Sequence, residues 1–505
     1  MRKRRWKAWF GLGAFAVSFV LAACTVGPDY VPSSAPVPSA YKELKGWKRA
    51  APADDCDRGA WWSLFKDQRL DSLEREVELS NQNIAAAEAA YRQSLAIIKE
   101  GQAGLFPTVN ANYSVIREHF GAKAFGFGGG ASSVASSAAL GATGSAITTT
   151  ISTLSTSASW DLDLWGKIRR MVESDVAASQ VSAADLANAK LSAQAMLATA
   201  YYNLRSADAL QALLYRDVAA FKQTLQITQH QYEAGTVSKA DVATAQAQVF
   251  STESQAINVG VMRAQFEHAI AALMGKPPAD LSIPTIPLPY KLPDVPVGVP
   301  SALLERRPDI AGAERAMQQQ NALIGAAIAL YYPDVTLSGM FGFMGKGALA
   351  LSLANEVWSI SASAVQPAFD AGLRDAQVEA ALSVYKQSVA TYRQTVLTGF
   401  QQVEDQLAAV RILARQERVA EAAVKASQEE VDIILNQYRA GTVNFTAVNV
   451  AQETLLTNQQ AALAVRQSRF VATVSLIEAV GGGWDTGLLP TAHALETRNP
   501  LIPVQ

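Results

Sequence analysis

The chain of 505 residues contains two cysteines, Cys24 and Cys56, and four histidines, His119, His230, His268 and His493. Zinc and thiol chemistry need such residues at short, fixed spacings, and these six are scattered. There is no HExxH pair, no CxxC pair and no nucleophile elbow of the GxSxG type. The pattern therefore predicts no catalytic residue, no metal site and no bound cofactor, and points away from an enzyme. A glycine-rich run, Gly121–Gly130, lacks the following Lys-Ser or Lys-Thr and the helix start that a phosphate loop needs. It reads instead as the start of a surface loop that continues, rich in Ser, Ala and Gly, to Gly144. One cysteine is set apart by its neighbours, because Leu21-Ala22-Ala23 stand directly before Cys24.

What precedes Cys24 explains that setting. Arg2, Lys3, Arg4, Arg5 and Lys7 are followed by an apolar run from Ala8 to Leu21. That run is shorter than the roughly 20 residues needed to span a bilayer, and a basic start with a short apolar core describes a secretory signal at 1–23. Leu21–Cys24 looks like a bacterial lipobox, in which the cysteine is acylated and becomes the new N-terminus. Acyl chains there hold a protein to a membrane at about 0.8 kcal/mol per buried CH₂. Thr25 takes the place of the aspartate that marks retention at the inner membrane, so the address is the outer membrane. Losing the leader removes five basic residues and no acidic one, which shifts the net charge from −2 to about −7. The mature surface therefore offers nucleic acid no basic patch. With Cys24 acylated, Cys56 has no disulfide partner.

The elements that follow come in two similar halves. In the first, a helical pattern runs from Asp67 to Leu105 and stops before Pro107. The period then becomes two: Val109, Ala111, Tyr113 and Val115 alternate with Thr and Asn, and Leu154, Ala158, Trp160, Leu162 and Leu164 alternate with Ser, Thr and Asp. In the second, a helix ending before Pro333 is followed by the alternating sets Val335, Leu337, Phe341, Phe343 and Trp358, Ile360, Ala362, Ala364. Strict alternation predicts strands near 108–117, 153–164, 334–343 and 358–366, each with one apolar and one polar face. They fit either a half-buried soluble sheet or a membrane barrel with a wet lumen, and the outer-membrane address favours the barrel. Charged residues make up only 17% of the chain, below the roughly 25% of soluble domains.

After each strand pair a proline-free stretch whose ends lie 66 residues apart, Gly166 to Tyr232 and Gly372 to Tyr438, reads as one helix about 100 Å long. Coiled-coil spacing recurs at Leu214, Val218, Phe221, Leu225 and Tyr232, and at Val424, Val431, Ile434 and Tyr438. Each helix ends in the same words, QYxAGTV, at Gln231–Val237 and Gln437–Val443. Gly235 and Gly441 suit the left-handed residue that closes a helix. Ser238 with Asp241 forms a capping box for the next helix, and Asn444 is the matching cap. Turn chemistry accounts for Gly, Ser and Asn. The repeated Thr236, Val237, Thr442 and Val443 suggest in addition a docking surface at an exposed tip. Two repeats follow, 67–275 and 301–483, between a lipidated segment at 24–66, a Pro-rich linker at 276–300 and a tail at 484–505. Four strands cannot close a membrane barrel, for which about eight is the minimum, so the chain must assemble with copies of itself.

These residues together resemble the TolC-like outer membrane efflux factors, in the NodT-type lipoprotein branch of tripartite RND-type efflux systems. The likeness is carried by Leu303-Leu304-Glu305-Arg306-Arg307-Pro308-Asp309-Ile310 with Ala313-Glu314, by Trp61-Trp62-Ser63-Leu64-Phe65, by Ile324-Gly325 before Tyr332-Pro333, and by the paired AGTV turns. The resemblance implies a mainly helical homotrimer with a small β part. Long antiparallel helices would form an α-barrel tunnel in the periplasm, and four strands per chain would complete a twelve-stranded β-barrel in outer-membrane lipid. The segments near 25–60, 276–300 and 484–505 would form a belt around the tunnel. It further implies a passive duct that takes small toxic compounds, drugs or metals, from an inner-membrane RND-type transporter and a periplasmic adaptor. The turns Ala234, Gly235, Thr236, Val237 and Ala440, Gly441, Thr442, Val443 would meet the adaptor. Gating residues would lie past the second tip. There the chain departs from the family's carboxylate before Ala-Gln and has Val450 before Ala451-Gln452, then Glu453, with Thr446 one turn earlier. Arg306 and Arg307 would anchor a helix start or the belt. A duct for protein secretion and a lipid-anchored scaffold without a pore remain as alternatives.

Overall fold

The computed structural model describes residues 25–44, 60–120, 147–289, 291–293, 295, 305–347 and 352–496. Cys24, Cys56, the signal segment and the glycine-rich loop lie outside the described residues. The elements run α1 (Gln68–Ser80), α2 (Gln82–Ala103), β1 (Thr108–Phe120), β2 (Ile147–Asp161), α3 (Lys167–Glu233), α4 (Lys239–Leu273), α5 (Pro308–Ala329), β3 (Asp334–Lys346), β4 (Glu356–Val365), α6 (Leu373–Arg439), α7 (Phe445–Ala479) and α8 (Ala492–Glu496), with short 3₁₀ turns between. The two halves match in length: α2 and α5 have 22 residues, α3 and α6 have 67, and α4 and α7 have 35.

The predicted single helix from Asp67 to Leu105 is two helices. Asn81 interrupts it with an extended ψ of 125°, and its side chain accepts from the amides of Asn83 and Ile84 to start α2. Asn81 also donates to the Leu273 carbonyl at 2.7 Å, so the start of α2 meets the end of α4. The second half repeats the joint. Arg307, before Pro308, donates to the Ala479 carbonyl at 2.9 Å and to Asp309 at 2.9 Å. The last carbonyls of a helix have no partner within it, and each joint supplies one. Arg307 thus anchors a helix start, while Arg306 contributes its carbonyl to the joint.

The strands form one antiparallel sheet in the order β1-β2-β3-β4. The predicted second strand ran to residue 164, but β2 stops at Asp161. Asp163 leaves the ladder and its carboxylate accepts from the amides of Ile168 and Arg169 at 2.8 and 3.0 Å. An anion at a helix N-terminus satisfies free N–H groups and opposes the dipole, so capping α3 wins over continuing the strand.

The main core lies where α1, α3, α5, α6 and α7 meet the aromatic turn Trp61–Phe65. Tyr202 stacks on Phe470 with centroids 4.7 Å apart, and Phe65 packs on both. The proline-rich segment is held there too. Ile283 and Leu288 are buried, and the Ile283 and Pro284 carbonyls accept from Arg263 and Arg205. Among the described residues, no helix is long and apolar enough to cross a membrane.

Candidate functional site

The sheet sorts its side chains into two faces. Residues directly opposite in a ladder share a face, and the register sets Val109 beside Ala158, Gly339 and Ile360, and Ala111 beside Thr156, Phe341 and Trp358. Tyr113, Leu154 and Phe343 form the next row of the same face, which ends in Glu356 at the start of β4, and Trp160, Leu337 and Ala362 form another. The opposite face carries rows such as Thr108, Ser159, Ser338 and Ser361, or Asn110, Ser157, Met340 and Ser359. The apolar face is uncovered in one chain: Ile360 is 83% and Trp358 66% exposed. Strands β1 and β4 each have a partner on one side only. Unpaired backbone groups cannot remain in hydrocarbon, so this sheet is a fragment of a closed barrel.

The first described residues sit at the foot of the sheet. The Val26 amide donates to the Trp165 carbonyl at 3.2 Å, and Arg170 donates to the Val26 and Gly27 carbonyls and to Asp29. A Cβ on Gly166 would lie 2.7 Å from the Thr25 side chain. Residues 25–44 then descend along α6, where Glu404 accepts from the amides of Lys42 and Glu43 at 2.7 and 3.0 Å. Thr25 therefore sits at the level where the strands become helices.

The two tips are built alike. Beyond α3, Gly235 has φ +74°, and both the amide and the Oγ1 of Thr236 donate to the Gln231 carbonyl at 2.9 and 2.8 Å. Beyond α6, Gly441 has φ +70°, and Thr442 donates twice to the Gln437 carbonyl at 3.0 and 2.9 Å. Ser238 and Asp241 form the capping box, and Asn444 accepts from the Ala447 amide. Val237 and Val443 pack into one small core with Tyr438, Phe445 and Val448. The turn itself thus gives Thr and Val a reason to recur, one that the spacing did not reveal. Ala234, Gly235, Thr236, Ala440, Gly441 and Thr442 are exposed. The tips differ in one respect: Tyr438 is 1% exposed and bonds Thr228 of the first hairpin, whereas its counterpart Tyr232 is 45% exposed.

Thr446, Val450 and Glu453 share one exposed face of α7, and Val450 is 55% exposed. Asn449 donates to Glu453 at 3.3 Å. His230 is one turn from the first tip, and His119 meets Thr148 at 2.7 Å across the ladder. Among the described residues no three His, Cys, Asp or Glu are placed to hold a metal ion.

An open amphipathic sheet carried on one layer of very long helices defines the subunit of a membrane-embedded duct. The chain belongs to the outer membrane efflux protein family, whose model matches residues 73–276 and 299–482. It is 28% identical over 495 residues to the toluene efflux pump outer membrane protein TtgC of Pseudomonas putida, covering 96% of this chain and 98% of that one. It is also 28% identical over 484 residues to Nodulation protein T of Rhizobium leguminosarum, with 94% of each covered. Among solved structures, the outer-membrane channel OprN superposes with a TM-score of 0.81 at 28% identity, over 91% of this chain and all of that one. The Campylobacter jejuni CmeC outer membrane channel shares the fold, with a TM-score of 0.82 at 21% identity over 94% and 97% of the two chains. The protein is thus an outer-membrane efflux component of the mainly helical channel fold. It is a transport duct and not an enzyme.

Proposed function

We propose that three copies of this chain form the outer-membrane duct of a tripartite efflux pump. The single observation that carries this is the four-stranded sheet with one apolar face, one polar face and two open edges. Three such sheets joined edge to edge give twelve strands, with lipid outside and water inside. The helices support the same assembly. Ile412, Val419 and Ile433 are exposed on one stripe of α6, and Phe250, Ile257 and Val261 on α4. Heptad-related stripes of this kind pack against a neighbouring helix. Exposed Tyr232 would then find in the next chain what Tyr438 finds within its own.

In this reading Cys24 carries the lipid that ties the chain to the outer membrane. Residues 67–275 and 301–483 are the two repeats, and 24–66, 276–300 and 484–505 wrap the tunnel. The tips Ala234–Val237 and Ala440–Val443 meet a periplasmic adaptor, and Val450 with Thr446 and Glu453 narrows the periplasmic mouth. Energy enters at an inner-membrane RND-type transporter, and small toxic compounds pass through without chemistry.

A deletion strain tests this against dyes, detergents, several antibiotic classes, metal salts and the profile of secreted proteins. Hypersensitivity with normal secretion is expected. Normal sensitivity with a missing secreted protein would move the duct to protein export. A complementing copy with Ala234→Arg and Ala440→Arg should assemble and fail to restore resistance, and full restoration would remove the tips from docking. Val450→Ala should raise resting conductance and the leak of vancomycin, and unchanged values would rule out an apolar gate at Val450. The mass of the purified protein should show acyl chains on Cys24, and a bare thiol there would end the anchor.

A further inference from the structure

One cavity of the helical layer is not used by the duct architecture. It encloses about 390 Å³ and lies beside the second joint, between α3, α5, α6 and α7. Polar side chains converge on it: Asn188 and Ser192 from α3, Gln402 and Gln406 from α6, and Ser475 and Glu478 from α7. Leu191 and Pro308 supply apolar wall.

Two helices independently fix which way it opens. On α3, Tyr201 faces the belt, accepting from Arg205, which in turn donates to the Pro284 carbonyl of the Pro-rich segment. Ser192 is nine residues earlier, about half a turn away at 100° per residue. On α6, Glu404 holds the belt segment, and Gln402 and Gln406 stand two residues to either side, roughly 200° away. The cavity therefore opens opposite the belt. The belt descends from the lipid end and so lies outside the tunnel, which leaves the cavity facing the lumen.

Its charge is simple. Arg307 and Asp309 pair with each other in the cavity wall, and the Glu478 carboxyl is left with a hydrogen bond from Ser192 and the field of Arg307. Burial raises the pKa of that carboxyl, so a cation beside it would be welcome. The first repeat acts as an internal control. At the matching places of its joint stand Asn83, Met196, Ala200, Ala269 and Ala272. The joint thus forms without a carboxylate and without the glutamines, and building it does not explain why Gln402, Gln406 and Glu478 are there.

We propose that this cavity is a lumenal resting site for small organic cations that bear N–H groups, in transit, with Glu478 as counter-ion and the surrounding amide and hydroxyl oxygens accepting the N–H groups. Its volume suits one small molecule, and the carboxylate disfavours anions. Access from the lumen rests on the duct reading, but every lining group comes from a single chain, so binding is measurable whatever the assembly.

The probe is ethidium, a fluorescent cation with two aromatic amines, titrated into the full chain in detergent, with anionic fluorescein alongside. Saturable ethidium binding at one site per chain is expected, with no fluorescein site. Glu478→Gln should weaken ethidium about tenfold, the usual scale for losing a charge-assisted contact. Gln402→Trp, at an exposed position, should fill the cavity and abolish binding. Glu429→Gln, on the belt face of α6, should change nothing. Equal affinity in the wild type and either cavity variant, or no saturable binding, overturns the site. The mass of the detergent-extracted protein reports on the duct separately: a trimer that fails to bind sinks the site alone, and a monomer that binds sinks the duct alone.

Discussion

Glu74→Gln is expected to stabilise the folded chain by about 3 kcal/mol at pH 7. Glu74 occupies a core position of α1, on the stripe of Leu70, Leu73 and Val77. Its side chain is 0% exposed and neither carboxyl oxygen has a hydrogen-bond partner. Burial, with a smaller push from Asp71, raises its pKa from 4.5 to about 9. Folding at pH 7 must therefore place a proton on a group that is ionised in the unfolded chain. The sign follows from proton counting. Below pH 4.5 both states hold the proton and the cost vanishes. Between 4.5 and about 9 only the folded state holds it, so stability falls by about 1.4 kcal/mol per pH unit as pH rises. The amide of glutamine has no such term. Chemical unfolding of the detergent-solubilised protein from pH 5 to 9 should show the two proteins diverging steadily. Parallel curves would mean that the carboxyl is charged and paired in the folded state.

Gly481→Ala and Gly275→Ala are expected to cost about 4 kcal/mol each, against about 1 kcal/mol for Gly235→Ala or Gly441→Ala. All four glycines have positive φ. At the tips a Cβ would meet nothing within 4 Å, so the backbone conformation is the whole cost. At the joints it would lie 1.9 Å from the Arg306 carbonyl oxygen and 2.2 Å from that of Ser80. Those carbonyls stand two residues before the starts of α5 and α2 and cannot move without opening the joint. Unfolding midpoints of the four variants separate the two costs. Equal losses at tip and joint would show that the close approach is relaxed without penalty.

The strands, the long helices and the tip turns were legible because their signals are local. Alternation, a left-handed glycine and a capping box each occupy a few consecutive residues. Asn81 was equally local, yet a continuous helical pattern on both sides concealed its cap. The joints could not be read, because Gly481 meets Arg306 only after folding brings residues about 175 apart together. Glu74 looked like an ordinary helical acid for the same reason, since its burial comes from packing that only folding brings together. The threonine and valine of the tips were visible as a repeat. Their bonds to a carbonyl five residues back and their packing against Tyr438 were not.

The matched lengths of the two halves restrict how the gene for such a protein can change. Removing one residue from α3 alone would shorten that helix by about 1.5 Å and turn everything beyond it by roughly 100°. Its stripe would leave the seam with α7, and one tip would stand out of line with the other. Insertions and deletions inside the four long helices are therefore tolerable only in matched sets, near whole heptads and in both halves. The connection from β1 to β2 is under no such constraint, since it spans the 26 positions 121–146 while its counterpart after β3 spans only the nine positions 347–355. Length variation among related chains should thus collect at the outer ends of the strands and be nearly absent from the helices, a pattern that counting gaps along an alignment would reveal.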